Sequence, residues 1–222
     1  MYCMIMVYKV WNMEEIIIYN YLIFDIDGTL LDTEFAVLSS LQRIVKEELN
    51  KDMSFEDLYF ALGIPGEITL EKLGIANVKQ CADRWNEYLR GYFRHIKVFD
   101  GIKEVLEELQ NKEVYMGIVT SKTREEYAND FIPFGIDKYF DIVVCADDTE
   151  IHKPYPEPIL KFIELSGAEK EKTVYIGDTE YDMKCAKDAG VDFALALWGA
   201  KTDKGIKPDY IVERPIDILN IK

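Results

Sequence analysis

Tyr21-Leu22-Ile23-Phe24-Asp25-Ile26-Asp27-Gly28-Thr29-Leu30 is the stretch that decides the fold. Four apolar residues suited to a buried strand run straight into two carboxylates spaced i, i+2. A core has no use for charge at that point, because an unpaired buried carboxylate is costly. Something must compensate, and a hard cation such as Mg²⁺ suits carboxylate oxygens. The spacing turns Asp25 toward a cleft, and Gly28 permits the turn that brings Asp27 after it.

Outward from this stretch, further short apolar runs occupy residues 114–119, 142–145, 173–176, 193–198 and 210–212. Helical patterns fill 101–111, 123–134, 157–166 and 180–189. Thr123 and Glu126 form a capping box, and Gly167 and Gly190 stand where helices end. Such alternation predicts an α/β fold, a doubly wound parallel sheet with helices on both faces.

Residues 34–97 break the alternation. Phe35, Leu38, Leu41, Val45 and Leu49 recur at helical spacing, Ser54-Phe55-Glu56-Asp57 reads as a helix start, and 78–96 reads as one long helix. Trp85, Tyr88, Tyr92 and Phe93 read as packing within that helix. An all-helical insert beside the end of the first strand would lie over the site as a cap that opens and closes. The expected division is therefore an α/β core of residues 14–33 plus 98–222 and a helical cap of 34–97. Residues 1–13 form an N-terminal extension, with Met13 as a second possible start, and Ile16-Ile17-Ile18 extends the first strand or packs beside it.

Composition excludes several classes. The 222 residues are 49% apolar and 30% charged, as in a folded soluble protein rather than a disordered one. A net charge of −15 would repel a phosphate backbone, so nucleic acid is not an expected partner. No apolar run approaches the ~20 residues of a membrane-spanning helix, and the N-terminus lacks the features of a signal peptide. Cys3, Cys81, Cys145 and Cys185 are widely spaced with no CxxC, which argues against zinc and for a reduced, cytoplasmic protein. His95 and His152 have no clustered partners at metal-ligand spacing.

Polar clusters follow three of the apolar runs: Asp25, then Thr120-Ser121, then Gly177-Asp178. In open parallel sheets ligands bind beyond the C-terminal ends of strands, so the three are expected to converge. A fourth piece is His152-Lys153-Pro154-Tyr155-Pro156-Glu157-Pro158, whose three prolines restrict the chain around Lys153.

Together, Asp25-Ile26-Asp27-Gly28-Thr29-Leu30-Leu31-Asp32, Ile118-Val119-Thr120-Ser121, Lys153-Pro154 and Gly177-Asp178-Thr179-Glu180-Tyr181-Asp182 resemble the haloacid dehalogenase-like superfamily of aspartate-nucleophile phosphatases. The insertion point of 34–97 is similar to the subfamily with a helical cap. Ala146-Asp147-Asp148 is similar to its phosphoglycolate phosphatase-like and pyrophosphatase-like members.

The resemblance implies that Asp25 is the nucleophile, forming an aspartyl-phosphate. Asp27 would be the general acid and base, with its backbone carbonyl on the metal. Asp178 would complete a Mg²⁺ site with Asp25, and Asp182 would stand at the metal or just behind it. Thr120 and the backbone N–H of Ser121 would hold the phosphate, and Lys153 would balance charge on the phosphoryl oxygens and Asp25. Asp32 and Glu34 are given no chemistry.

The expected activity is Mg²⁺-dependent hydrolysis of a small phosphorylated metabolite by a monomer or homodimer. The rivals are a phosphomutase, an inorganic pyrophosphatase and a non-enzymatic phospho-acceptor switch. The resembling mutases carry a histidine soon after the first motif, and residues 34–51 have none. The related dehalogenases lack a carboxylate at the position of Asp27. A receiver-like switch is much shorter and has no cap. Within the insert, Leu62-Gly63-Ile64-Pro65-Gly66-Glu67 is the candidate substrate-contact segment.

Overall fold

The computed structural model describes residues 19–202 and 205–222. The expectations placed on Cys3, Met13 and Ile16-Ile17-Ile18 lie outside the described residues.

In chain order the elements are β1 Tyr21–Phe24, β2 Leu31–Asp32, α1 Glu34–Leu49, α2 Phe55–Leu58, α3 Gly66–Lys72, α4 Val78–Gly91, β3 Lys97–Val98 and α5 Ile102–Asn111. They continue with β4 Tyr115–Val119, α6 Arg124–Asp130, β5 Ile142–Val144, α7 Glu157–Ser166, β6 Thr173–Gly177, α8 Glu180–Ala189, β7 Asp192–Ala196 and β8 Tyr210–Val212. Six strands form one sheet in the order β5-β4-β1-β6-β7-β8. Every pairing in it is parallel.

Side chains of β1 alternate between two cores, as the period of a strand requires. Leu22 and Phe24 pack with Ile102, Val105, Leu106 and Leu109 of α5 on one face. Ile23 packs with Ile159 and Phe162 of α7 and Met183 and Ala186 of α8 on the other. Burying each such side chain contributes about 1.5–3 kcal/mol, so helices on both faces hold β1 at the centre. The doubly wound α/β architecture expected from the alternation is present, and the strand order brings the ends of β4, β1 and β6 side by side.

The helical segment has its own apolar cluster, in which Leu38, Leu41, Ile44 and Val45 of α1 meet Leu58, Leu70, Cys81 and Trp85. Phe35 departs from the expected stripe: it is 48% exposed and meets Phe55 and Tyr92 edge-on and His95 at a tilt. It stands one position before Ala36, which takes the buried place in the first turn. The helix expected over 78–96 ends at Gly91 and passes into a single 3₁₀ turn, Phe93–His95. The helix expected over 123–134 stops at Asp130, because Pro133 lacks the N–H that another α turn needs.

One feature carried no sequence signal. β2 and β3 pair antiparallel through Leu31 with Val98 and Asp32 with Lys97, tying together the two chain crossings into the helical segment. Two residues per strand are too few to establish a period. Among the described residues no helix is long and apolar enough to cross a membrane.

Candidate active site

Asp25 is the first residue beyond β1. Its N–H donates to the carbonyl of Ile176 at 2.9 Å, so the backbone ladder holds it over the end of the sheet. The side chain is 2% exposed. One oxygen, Oδ1, lies 3.0 Å from Lys153 Nζ. The other, Oδ2, is buried and has no hydrogen-bond partner among the described residues.

Lys153 is fully enclosed in the loop before α7. Its Nζ donates to Asp182 Oδ1 at 2.7 Å and to Tyr175 Oη at 3.2 Å, besides its contact with Asp25. Asp182 is the third residue of α8 and closes a capping box with Thr179. Its Oδ2 accepts from the Thr179 N–H at 3.0 Å and from the Thr179 hydroxyl at 2.5 Å. Both Asp182 oxygens are therefore engaged by protein donors. Tyr175 points down from β6 and donates onward from its hydroxyl, with the carbonyl of Val119 and Asp182 Oδ1 each 2.9 Å away.

Asp178 follows β6 and accepts from the Thr29 hydroxyl at 3.4 Å. Gly28, at φ +80°, passes so close that a Cβ there would stand 2.2 Å from Asp178 Oδ2. The chain closes in from the other side as well: a Cβ on Gly199 would lie 1.7 Å from the Gly28 carbonyl oxygen. Carboxylate oxygens of Asp25, Asp178 and Asp182 fall within 4.8 Å of one another, a group able to hold a metal ion.

The Asp27 side chain turns away from that group. Its Oδ2 lies 3.2 Å from Lys122 Nζ, and its Oδ1 is buried without a partner among the described residues. Lys122 also faces Asp130 Oδ2 at 3.8 Å. Thr120 is buried at the end of β4, its hydroxyl accepting from the Lys122 N–H at 3.3 Å. The Ser121 hydroxyl donates to the carbonyl of Gly63 at 2.9 Å, joining the core to the helical segment.

The electrostatics follow from burial. Five carboxylates, those of Asp25, Asp27, Asp130, Asp178 and Asp182, surround two ammonium groups, Lys122 and Lys153. Burial pushes Asp25 up to about 7, with the charges of Asp182 and Asp27 adding to the rise and Lys153 opposing it. Asp178 is raised well above the carboxylate range by burial, then by Asp182 and Asp25. Burial pulls both lysines down, but their carboxylate neighbours outweigh it and keep them charged. The site thus carries an excess of acid that a divalent cation would balance, and its donors are all oxygen.

Asp25, Asp27, Ser121, Lys122, Glu126 and Asp130 line one cleft of about 630 Å³, counting the space open to solvent. Asp25, Asp27, Ser121 and Lys122 form its floor, and Gly63, Ile64 and Gly66 belong to its opposite wall. The segment 62–67 singled out from the sequence thus faces the site. Trp85 packs in the helical segment's apolar cluster, as read from the sequence, and also lines the cleft, while its indole N–H donates to Ser40 at 2.9 Å. Tyr88 lies outside, under the Arg43 guanidinium at 3.5 Å. Sequence reasoning missed Lys122, Asp130 and Tyr175. Lys122 was within reach of it, since it directly follows Thr120-Ser121; nothing in the sequence marks Tyr175 apart from its neighbours on a buried strand.

Residues 22–196 match the family model described as haloacid dehalogenase-like hydrolase. The chain belongs to that family and is a hydrolase. It is 33% identical to the "Putative pyrophosphatase PpaX" of Caldanaerobacter subterraneus subsp. tengcongensis, across 90% of this chain and 92% of the relative. The pyrophosphatase PpaX of Oceanobacillus iheyensis is 31% identical, across 90% and 95%. Among solved structures, a "putative phosphoglycolate phosphatase" from Lactobacillus plantarum superposes with a TM-score of 0.84 at 28% identity, across 92% of this chain and all of that one.

Proposed function

We propose that this protein is a Mg²⁺-dependent phosphatase of a small phosphorylated compound, acting through an aspartyl-phosphate on Asp25. The observation that carries the reading is the pair of buried, unpartnered carboxylate oxygens, Asp25 Oδ2 and Asp27 Oδ1, on two residues that line one cleft. Orphaned carboxylate oxygens are expensive unless a ligand completes them. The relatives, named as pyrophosphatases and a putative phosphoglycolate phosphatase, support an activity that hydrolyses phosphate compounds.

Asp25 Oδ2 attacks phosphorus while Lys153 holds Oδ1, so the side chain keeps one free oxygen and one fixed orientation. The bond from phosphorus to the leaving oxygen breaks, and Asp27 gives that oxygen a proton. Water then attacks the phosphorus of the aspartyl-phosphate, Asp27 takes back a proton, and inorganic phosphate leaves with Asp25 regenerated. Thr120 and the Ser121 N–H hold the phosphoryl oxygens. Lys153 adds positive charge as theirs develops.

Asp25 and Asp178 are the residues that would hold Mg²⁺, with the Asp27 carbonyl beside them. When bound, the ion keeps both carboxylates ionised and draws negative charge from the transferring group. Asp182, both oxygens engaged, anchors Lys153 behind the ion rather than joining it directly. Residues 34–97 act as the cap, and the segment 62–67 sets which substrates fit.

Phosphate release from a panel including inorganic pyrophosphate, 2-phosphoglycolate and sugar phosphates tests this, with Mg²⁺ and with chelator. Turnover that needs Mg²⁺ is expected. A protein that releases no phosphate but is stably phosphorylated by acyl phosphates would be a switch instead.

A further inference from the structure

Lys122 has no role in the reaction as written above, yet it is the one cationic side chain among the described residues lining the cleft. It is 8% exposed, and three carboxylates, those of Asp27, Glu126 and Asp130, line the cleft with it. Burying an ammonium is costly unless anions offset it. Glu126 is engaged by other donors: Oε2 accepts from the Thr123 N–H at 2.8 Å and Oε1 from the Asn86 amide at 2.9 Å. That leaves Lys122 Nζ with Asp27 Oδ2 at 3.2 Å and Asp130 Oδ2 at 3.8 Å. Its charge is already matched by acids of the protein, so what it acts on is Asp27 rather than a ligand.

Lys122 is well fixed for that task. Its N–H donates to the Thr120 hydroxyl at 3.3 Å, and its carbonyl accepts from the Ala146 N–H at 2.8 Å. Asp130, the last residue of α6, attracts its ammonium as well. Asp27 is less constrained. Its Oδ1 has no partner among the described residues, and the terminal torsion of an aspartate has a broad range. A proton donor must nonetheless stand within hydrogen-bond reach of the leaving oxygen. In the reading above, Thr120 and the Ser121 N–H hold the phosphoryl oxygens. One loop, residues 120–122, then fixes both the phosphoryl group and the acid that serves it, and such alignment is itself a source of rate.

We propose that Lys122 is a positioning residue for Asp27: it holds Oδ2, keeps the carboxylate turned away from Asp25 and Asp178, and leaves Oδ1 to carry the proton. This rests on the phosphatase reading and adds a residue to it. As the bond from phosphorus to the leaving oxygen breaks, the proton passes from Asp27 Oδ1 to that oxygen. As water attacks the aspartyl-phosphate, Oδ1 takes a proton from the water. Lys122 stays charged through both steps. An ion pair that only stabilised the fold would not distinguish one leaving group from another.

The test compares phenyl phosphate with p-nitrophenyl phosphate, two esters of similar shape. p-Nitrophenolate leaves readily without a proton, whereas phenolate depends more on the acid. Both are assayed with Mg²⁺ on the wild-type protein, on Lys122→Met and on Lys122→Arg. Lys122→Met should lose about tenfold or more in kcat/KM on phenyl phosphate beyond its loss on p-nitrophenyl phosphate, and Lys122→Arg should keep close to the wild-type ratio. The ratio is taken on one sample, so any unfolded fraction cancels. If Lys122→Met does not fold, Lys122→Met/Asp130→Asn removes the charges of both residues and should show the same selective loss. Equal losses on both esters, in whichever variant folds, overturn the proposal. If the aryl esters turn over too slowly to follow, crystal structures of the wild type and that variant decide: an Asp27 carboxylate swung out of its wild-type place supports the proposal, and an unmoved one overturns it. Failure of the phosphatase reading looks different, since wild type would then release phosphate from neither ester and from no compound of the panel.

Discussion

Lys153 carries one charge between two carboxylates, Asp25 and Asp182, and none of the three has more than 3% exposure. At about 3 Å and an effective dielectric of about 20, each attraction is roughly 5 kcal/mol before desolvation, which takes much of it back. The balance is unforgiving of losing one member. Asp182→Ala would strip Lys153 of its shortest contact and break the α8 cap; we expect about 3 kcal/mol or more of lost stability in urea denaturation and a marked fall in kcat. An unchanged kcat in a destabilised Asp182→Ala would place Lys153 outside the chemistry. Asp25→Asn keeps shape and burial, so circular dichroism should be unchanged while activity falls by several powers of ten. At this scale the sequence was most informative where chemistry forces a residue type: Asp25, Asp27, Thr120, Lys153 and Asp178 all sit around one site. It was silent on Tyr175, whose hydroxyl matters only because Lys153 and Asp182, 22 residues before it and 7 after, meet there.

The end of the sheet sets the site's response to pH. A buried carboxyl with a raised folded-state pKa stabilises the fold when protonated, fully so below its unfolded value near 4. That contribution is lost as pH climbs to the folded value of about 7 for Asp25, and Asp178 moves in the same sense. Without metal, thermal stability should therefore decline between about pH 4 and 7. Mg²⁺ should restore it, with a larger rise in Tm at about pH 8 than at pH 5. Equal Mg²⁺ shifts at both pH values would count against Asp25 and Asp178 as the ligands. The turn after β1 makes its own prediction. Gly28→Ala puts a methyl group onto Asp178 and strains the backbone at φ +80°. Calorimetric titration should find Mg²⁺ affinity sharply reduced; normal affinity would mean that Asp178 does not face the ion. The six strands of the sheet and helices α1 and α4 to α8 were legible from the sequence, whereas α3 had no reading of its own and β2 and β3, with two residues each, exist only because distant chain segments meet.

Over the whole molecule, the helical segment meets the core both through apolar side chains, Ala36, Leu89, Tyr92 and Phe93, that join the cluster around β1 and α5, and through polar contacts. Ser121 donates to the Gly63 carbonyl, Asn86 to Glu126 at 2.9 Å, and Tyr181 to the Phe60 carbonyl at 3.3 Å, while Lys201 pairs with Glu34. Its separate apolar cluster would keep the segment folded while such contacts part, as a cap that opens and returns requires. Gly63 comes nearest: a Cβ there would stand 2.8 Å from the Thr179 hydroxyl. Gly63→Ala should thus hold the cap off, lowering kcat/KM by about tenfold or more, and because Gly63 stands at φ +87° it should lower Tm as well, as activity assays beside calorimetry would reveal. The cap's helices were readable from α1 and α4 alone, but which of its residues meet the core was not, because that depends on how two separately cored units dock. The most direct test of the central claim is to mix protein, Mg²⁺ and a turned-over substrate, quench in acid within the first turnovers, and locate bound phosphate by peptide mass spectrometry. Phosphate on the peptide containing Asp25, absent in Asp25→Asn, is the predicted result. Efficient hydrolysis with no phosphate ever carried on Asp25 would contradict it.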